Sequence, residues 1–259
     1  MSKNKLQKFA QMATFDNVYE CTAKSINSEG EPLSIAGCWH ERFFHNTNPI
    51  VLELGCGRGE YTVGLARLCP EKNFIGVDIK GARMWAGAKQ ATEEKISNAA
   101  FLRTNIEYIE RFFAPSEVSE IWITFPDPQM KKATKRLTSS FFMQRYKNIL
   151  AAGGLIHLKT DSPFLYQYTL EMIKANHFTL EYETDDLYGQ SMQAPAVATQ
   201  IQTHYEHQWL ERGMSIKLLS FRLPYQEQYI EPEVDIEKDT YRSYGRNYNT
   251  NHHVSSTNH

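Results

Sequence analysis

The sequence predicts an α/β fold with a mostly parallel sheet, because β-type and helical patterns alternate along its middle part. Short apolar runs with β propensity alternate with segments whose apolar residues repeat at helical spacing, which is typical of right-handed βαβ units. The chain has 259 residues, enough for one such domain with extensions. Two final β runs, at 179–183 and 215–223, predict a closing antiparallel hairpin, so the sheet should end in an antiparallel C-terminal strand.

Three segments follow from this pattern. Residues 1–48 form an N-terminal extension, residues 49–225 carry the alternating elements, and residues 226–259 form an acidic, polar tail that we expect to lack regular structure. The predicted strands of the middle part are 50–54, 73–77, 100–103, 120–125 and 155–159, and its predicted helices are 60–69, 81–96, 139–150 and 163–175. Gly153-Gly154 predicts a break before the fifth strand, and residues 200–212 are compatible with a further helix.

Composition narrows the class of protein. Hydrophobic residues make up 41% and charged residues 22% of the chain, as in ordinary globular proteins. No apolar run approaches the roughly 20 residues that span a bilayer, and the first residues lack the apolar stretch of a signal peptide. The four cysteines form no C-x-x-C pair. We therefore expect a reduced, cytoplasmic protein without a membrane partner or a structural metal.

The charge is nearly balanced but unevenly placed. A net charge of −2 argues against indiscriminate nucleic-acid binding, and no DNA partner is expected. One cluster of basic residues is a candidate site for a polyanion, although a solvated helix face has the same composition. This cluster contains Lys131, Lys132, Lys135, Arg136, Arg145 and Lys147. The oligomeric state is left open.

A turn of three alternate glycines, at residues 55–59, follows the first strand and opens a helix. Glycine allows a tight turn and a close approach of backbone to ligand, and the N–H groups of the helix point into the same crevice. Dinucleotide-binding folds usually show G-x-G-x-x-G, whereas this chain has G-x-G-x-G with Glu53 just before it. An acid there would repel a pyrophosphate and suits a cationic ligand such as S-adenosylmethionine. A purely structural turn is the alternative.

Polar residues follow every strand of the predicted parallel sheet. Ligands of such sheets bind beyond the carboxyl ends of the strands. The residues at these positions are Glu53 with the glycine turn, Asp78, Asn105, Asp127 and Asp161. Asp78, 23 residues after Gly55, is placed to accept the ribose hydroxyls of an adenosine. A single acid after a strand is often only a helix cap or turn residue, but five such positions together favour a ligand site.

The run Phe125-Pro126-Asp127-Pro128 ends the fourth predicted strand. Proline fixes its own φ and pushes the preceding residue into an extended conformation, so Asp127 should be held stiffly at the sheet edge. A rigid acid there is a candidate catalytic residue. Lys131 and Lys132 follow, so a carboxylate that reads a base edge lies beside cations that bind phosphate. This suggests a nucleotide within a polynucleotide, unless the segment is only a rigid surface turn.

These motifs occur in order with Lys159-Thr160-Asp161 and Thr203-His204-Tyr205-Glu206, and together they resemble the bacterial tRNA (guanine-N7-)-methyltransferases from about Pro49 to Leu223. The resemblance implies a Rossmann-like class I methyltransferase fold, S-adenosylmethionine as cofactor, and methyl transfer to N7 of a guanosine in the tRNA variable loop. It implies two sets of binding residues, one of which contains Asp127, the candidate catalytic residue. The cofactor set is Glu53, Gly55, Gly57, Gly59, Asp78, Asn105 and Asp127, and the substrate set is Lys131, Asp161, Thr203, His204, Tyr205 and Glu206.

The chain departs from the family pattern in two places. Asn105 stands where the family usually has an acid; its amide oxygen still accepts a bond from an adenine amino group, so we expect an altered cofactor contact. The loop after Asp127 is shorter and less basic than usual, so the family pattern does not establish how strongly this loop binds RNA. Tyr205 is a candidate to stack on the target base, whereas Trp122 and Phe125 are expected in the core. A catalytically silent RNA-binding protein and a nucleotide-dependent oxidoreductase remain as alternatives.

Overall fold

The computed structural model describes residues 3–21, 32–189 and 194–240. The predicted end of the tail, 241–259, lies outside these residues. The strands are β1 (Val18–Glu20), β2 (Ile50–Leu54), β3 (Asn73–Asp78), β4 (Ala99–Arg103), β5 (Val118–Thr124), β6 (Leu150–Thr160), β7 (Thr179–Thr184) and β8 (Lys217–Arg222). The α-helices are α1 (Lys3–Met12), α2 (Glu60–Leu68), α3 (Gly81–Glu93), α4 (Ser140–Ile149), α5 (Pro163–Ala175), α6 (Ala196–Gln200) and α7 (His204–Leu210).

The strands form one eight-stranded sheet in the order β1-β4-β3-β2-β5-β6-β8-β7. All pairs from β1 to β6 are parallel, and β8 is antiparallel to both β6 and β7. This confirms the predicted mostly parallel sheet with an antiparallel C-terminal strand. The last two strands pair as predicted, but β8 lies between β6 and β7. The long connection that carries α6 and α7 allows β8 to enter there.

Helices cover both faces of the sheet. All five residues of β2 are buried, as expected for a central strand of a parallel sheet covered on both sides. On one face, Val51 and Phe101 pack with residues of α2 and α3 such as Leu65 and Ala88. On the other face, strand residues such as Leu52 belong to a cluster with residues of α4 and α5. None of the described helices is long and apolar enough to cross a membrane.

The predicted break at Gly153-Gly154 lies inside β6, not before it. The strand continues through these glycines because its register against β5 shifts there. Val118 of β5 lies opposite Leu150, whereas Glu120 lies opposite Leu155. Gly153 takes a φ of 67°, which glycine adopts without strain. The glycines therefore mark a bulge, which periodicity does not distinguish from a loop.

Both extensions contact the domain. Strand β1 of the N-terminal extension pairs in parallel with β4 at the sheet edge, with Val18 opposite Phe101. The strand has only three residues, too few to show an alternating pattern in the sequence. At the other end, residues 226–240 form neither helix nor strand, yet Tyr229 is buried in the core. The described part of the tail is therefore packed on the domain.

Candidate functional site

The carboxyl ends of the parallel strands meet at a cavity of about 680 Å³, which is within the usual size of a small-molecule site. Three segments supply most of its wall: the glycine turn after β2, the loop after β5, and the start of α7. The predicted site residues that line it are Glu53, Gly55, Gly57, Asp127, Thr203, His204 and Tyr205.

The three glycines of the turn do different things. Gly55, Gly57 and Gly59 all have positive φ, at 81°, 56° and 74°. A Cβ added to Gly55 would meet nothing within 4 Å, so the backbone of this turn borders open space. A Cβ on Gly59 would lie 2.6 Å from the ring of Phe101. Gly59 is thus required for packing between the turn and the sheet, and it does not line the cavity.

Glu53 is a buried carboxylate in the cavity wall, with 3% of its surface exposed. One of its oxygens accepts bonds from the backbone N–H of Thr62, at 2.8 Å, and from the Thr62 hydroxyl. The other accepts a 2.7 Å bond from the Thr124 hydroxyl. Burial raises the pKa of Glu53 to about 7 despite these bonds. Negative charge is therefore costly here unless a cationic group lies beside it. Sequence reasoning missed Thr62 and Thr124 because their contacts to Glu53 depend on tertiary packing.

Asp78 joins the glycine turn to α3. Its Oδ2 accepts a bond from the Gly57 N–H at 2.9 Å, and its Oδ1 accepts one from the Lys80 N–H at 2.7 Å. The side chain of Asn105 caps a short 3-10 helix, Ile106–Arg111, by accepting a bond from the Glu107 N–H at 3.3 Å. Neither residue is among the described ones that line the cavity, so their predicted contacts with an adenosine stay predictions.

The loop after β5 brings Asp127 to the cavity in an exposed position. Its Oδ1 accepts a 3.0 Å bond from the Gln129 N–H. Phe125 and Gln129 have φ angles of 48° and 47°, which are strained for residues with a side chain. The extended conformation predicted for Phe125 is wrong. Its N–H donates a 2.8 Å bond to the Lys159 carbonyl of the neighbouring strand β6, and this contact stabilises the strained conformation.

The predicted basic cluster is dispersed in the structure. Lys131 and Lys132 are exposed but do not line the cavity, whereas Lys135 lines it and pairs with Glu107. The other cations have structural contacts. The guanidinium of Arg136 lies 4.3 Å from the ring of Tyr168, that of Arg145 lies 3.6 Å from the ring of Phe141, and Lys147 donates to the carbonyls of Gln226 and Glu227. The cluster is therefore not one free phosphate-binding patch.

The start of α7 forms the third part of the wall. Thr203 caps the helix by accepting a 3.2 Å bond from the Glu206 N–H, and the His204 N–H donates a 2.8 Å bond to Glu60. Tyr205 is 37% exposed, and its ring centre lies 5.4 Å from that of Phe125. These two rings face the cavity together. Trp122, in contrast, is 1% exposed and belongs to the core, as predicted.

Glu206 lies behind this wall, in an ion pair with Lys159 in which both side chains are fully buried. The Lys159 ammonium is 2.7 and 2.9 Å from the two carboxylate oxygens and also donates to the carbonyls of Ala198 and Ile201. Burial lowers the pKa of Lys159, and the charge of Glu206 opposes this effect.

Asp161 is also fully buried and does not line the cavity. Neither Glu206 nor Asp161 lines the cavity, so their predicted substrate contacts stay predictions. From the sequence, Lys159 was named only as part of a motif, and its buried ion pair was not predicted. A lysine at the end of a strongly apolar strand is nevertheless a sign of a buried partner.

Comparison with known proteins agrees with these motifs. Residues 47–219 match a family model described as "Putative methyltransferase". The tRNA (guanine-N(7)-)-methyltransferase of Bacteroides fragilis (strain YCH46) is 56% identical over 246 residues, which cover 95% of this chain and 96% of that protein. The chain belongs to the tRNA (guanine-N(7)-)-methyltransferase family. The family member from Porphyromonas gingivalis (strain ATCC BAA-308 / W83) is also 56% identical, over 91% of this chain and 96% of its own length.

Family membership confirms the resemblance seen in the sequence and makes the protein an enzyme of the methyltransferase class. Among solved structures, the 16S rRNA methyltransferase KamB matches with a TM-score of 0.55 and 15% identity, over 74% of this chain and 96% of that one. At this identity the match bears on the fold alone. It agrees with the class I methyltransferase fold that the sequence predicted.

Proposed function

We propose that the protein transfers a methyl group from S-adenosylmethionine to N7 of a guanosine in the variable loop of tRNA. The observation that carries this proposal is that the glycine turn, the buried Glu53 and the exposed Asp127 all line one cavity. It lies in a chain whose relatives of 52–56% identity are named tRNA (guanine-N(7)-)-methyltransferases. A guanosine of folded tRNA must be exposed before it enters such a cavity.

The residues of the cavity suit the cofactor, which supplies a methyl group attached to a positively charged sulfur. Gly55 leaves open space beside its backbone, into which a Cβ at this position would project, and a Cβ at Gly57 would meet only the Gly55 carbonyl oxygen, at 3.9 Å. The shielded carboxylate of Glu53 favours a cationic neighbour, whereas it would repel the pyrophosphate of a dinucleotide. Asp78 lies at the end of β3, next to this turn, where a ribose is expected. These features support S-adenosylmethionine over the oxidoreductase alternative.

Methyl transfer to guanine N7 requires mainly that the protein align the base with the methyl group and stabilise the positive charge that forms. Guanine N7 carries an in-plane lone pair and no proton, so it needs no general base, and the methylated ring becomes positively charged. Asp127 would accept bonds from the amino or imino edge of guanine, orient the base and stabilise that charge. Tyr205, beside Phe125, is placed to stack on the base. Lys131 and Lys132 would contact phosphates near the loop after β5.

The test is methyl transfer from labelled S-adenosylmethionine to unmodified bulk tRNA, followed by mapping of the modified nucleotide. We expect label at N7 of one variable-loop guanosine. Binding of tRNA without transfer would favour the silent RNA-binding alternative, and label on another base would contradict the assigned target. Calorimetric titration with S-adenosylmethionine and with NAD separates the methyltransferase from the oxidoreductase.

A further inference from the structure

We propose that Arg58, Lys80 and Arg83 form a second phosphate-binding surface for the RNA substrate, here called the α3 rim. The inference rests on the proposed function, because it assigns the α3 rim to the same tRNA. It adds a contact surface on the side of the cavity away from Lys131 and Lys132.

All three cations lie at the surface of the cavity wall. Arg58 sits inside the glycine turn with its side chain 63% exposed, and Lys80 and Arg83 are exposed at the start of α3. In the sheet, β3 lies on one side of β2 and β5 lies on the other. Since α3 follows β3 and the Asp127 loop follows β5, the α3 rim and this loop border the cavity from opposite sides.

The α3 rim has a fixed geometry because Asp78 links its two halves. The Asp78 carboxylate accepts bonds from the N–H groups of Gly57 and Lys80, at 2.9 and 2.7 Å. Gly57 precedes Arg58, so the half-buried Asp78 carboxylate holds the backbone at Lys80 and next to Arg58. A surface whose backbone is held in this way loses less entropy when it binds a ligand than a mobile loop does.

Lys80 and Arg83 also line a second cavity, of about 710 Å³, whose wall includes Leu6 and Phe9 of α1. They therefore stand on the ridge between the two cavities. Basic residues continue beyond this ridge, because Lys8 of α1 lies 4.5 Å from the centre of the Trp85 ring on α3. The α3 rim thus leads from the candidate active site towards the N-terminal helix.

The charge balance of the α3 rim fits RNA better than the cofactor alone. Arg58 is 3.5 Å from the carboxylate of Glu60, but within the described residues no carboxylate lies at ion-pair distance from Lys80 or Arg83. Lys135, across the cavity, has such a partner in Glu107. S-adenosylmethionine offers one carboxylate, whereas RNA offers a phosphate at each nucleotide. The α3 rim therefore supplies cations that the short loop after Asp127 lacks.

The test compares two charge-matched double variants. Lys80→Gln with Arg83→Gln removes two charges from the α3 rim, and Arg67→Gln with Lys174→Gln removes two charges from exposed ion pairs outside the cavity. Binding of unmodified tRNA is measured by fluorescence anisotropy from 50 to 200 mM salt, and S-adenosylmethionine binding by calorimetry. For the α3 rim variant we expect roughly tenfold weaker tRNA binding and a log–log salt slope smaller by about 1.5, as for two lost phosphate contacts.

The same variant should bind S-adenosylmethionine within about threefold of wild type, and the control variant should change tRNA binding by less than about twofold. Exchanging the cations, with Lys80→Arg and Arg83→Lys, should restore the slope, which separates charge from misfolding. An unchanged tRNA slope in the α3 rim variant would overturn the proposal, as would equal losses of tRNA and S-adenosylmethionine. Failure of the wild-type protein itself to bind tRNA would instead overturn the proposed function.

Discussion

Glu53 and Asp127 line the same cavity in opposite environments. Glu53 is 3% exposed and accepts bonds from Thr62 and Thr124, whereas Asp127 is exposed and accepts one from the Gln129 backbone. A buried carboxylate interacts strongly with a nearby cation because water screens the charges little, and an exposed carboxylate is accessible to a large substrate. We therefore propose that Glu53 lies on the cofactor side of the cavity and that Asp127 contacts the base.

Replacing Asp127 tests its role at the base. Asp127→Ala should slow single-turnover methyl transfer by about a hundredfold or more, because both the acceptor and the negative charge are lost. Asp127→Asn should lose less, since its amide oxygen still accepts a hydrogen bond. Glu71→Ala, at an exposed acid outside the cavity, serves as the control. A rate within about threefold of wild type for Asp127→Ala would remove the residue from the mechanism.

Glu53 should make stability depend on pH in an unusual direction. Its pKa is about 7 in the folded protein against 4.5 as the ordinary value, so the folded state holds the proton more tightly. The stabilisation from this proton is complete below about pH 4.5 and is lost as the pH rises to about 7. We expect a loss of about 3 kcal/mol in free energy of unfolding across this window.

Urea unfolding of the wild type and of Glu53→Gln, in the absence of cofactor, isolates this effect. The amide cannot titrate, so the unfolding free energy of the wild type minus that of Glu53→Gln should fall with rising pH and then become constant. A difference that rises with pH, or that stays flat, would show that the Glu53 pKa is not raised.

Between elements, the Lys159–Glu206 pair connects the end of β6 to α7, which carries Thr203, His204 and Tyr205 into the cavity wall. Lys159 also donates to the carbonyls of Ala198 and Ile201, at 2.6 and 3.1 Å, just before this helix. One buried ammonium thus satisfies acceptors from the whole α6–α7 segment. The Tyr188 hydroxyl donates a further bond, at 2.6 Å, to Oε1 of Glu206. The position of Tyr205 therefore depends on a residue that does not touch the cavity.

Breaking this pair should destabilise the protein strongly. Lys159→Met leaves the Glu206 carboxylate buried and unpaired, at a cost of about 3–5 kcal/mol in unfolding free energy. The double variant Lys159→Met with Glu206→Gln should recover at least about 1 kcal/mol, because the uncompensated charge is gone. Lys174→Met, in an exposed pair with Glu171, should change stability by less than about 0.5 kcal/mol. Equal losses in the single and double variants would contradict an ion pair.

At the scale of the whole molecule, the C-terminal tail holds the helices of one face. The Glu231 carboxylate accepts bonds from the N–H and hydroxyl of Ser140 at the start of α4, at 3.1 and 2.8 Å. Asp239 accepts a 3.0 Å bond from the Phe164 N–H at the start of α5. The side chain of Ser139, the N-cap residue of α4, makes no capping hydrogen bond. Acids from the tail thus supply helix caps that also suit the helix dipoles.

Removing either cap should lower stability. Glu231→Ala and Asp239→Ala should each cost about 1–2 kcal/mol in unfolding free energy, measured by urea titration. Glu233→Ala changes an exposed acid of the same tail and should cost less than about 0.5 kcal/mol. If all three variants lost the same small amount, the tail would not act as a helix cap.

Local pattern was sufficient for most elements of the middle part. The predicted strand 50–54 and helix 163–175 coincide with β2 and α5, because a continuous apolar run and a helical repeat depend only on neighbouring residues. The stretch 200–212, predicted as compatible with a helix, contains α7, which begins after the Thr203 cap, whereas α6 ends at Gln200 and was not predicted. Helix α1 and strand β1 of the N-terminal extension were not predicted, and the three residues of β1 are too few to show a period. The tail was predicted to lack regular structure, and its described residues 226–240 form neither helix nor strand.

The sequence by itself determined the class of fold, the glycine turn, the acids at the strand tips and the family, because each is recorded in short runs of residues. Tertiary structure alone decided which of those acids face the cavity. Lys159 and Glu206 are 47 positions apart, and Asp239 lies 75 positions from the N–H that it caps. Burial of Glu206 and Asp161, the raised pKa of Glu53 and the placement of Lys80 and Arg83 on the α3 rim all arise from such distant contacts. Desolvation and ion pairing depend on what surrounds a side chain in space, and chain order does not specify that environment.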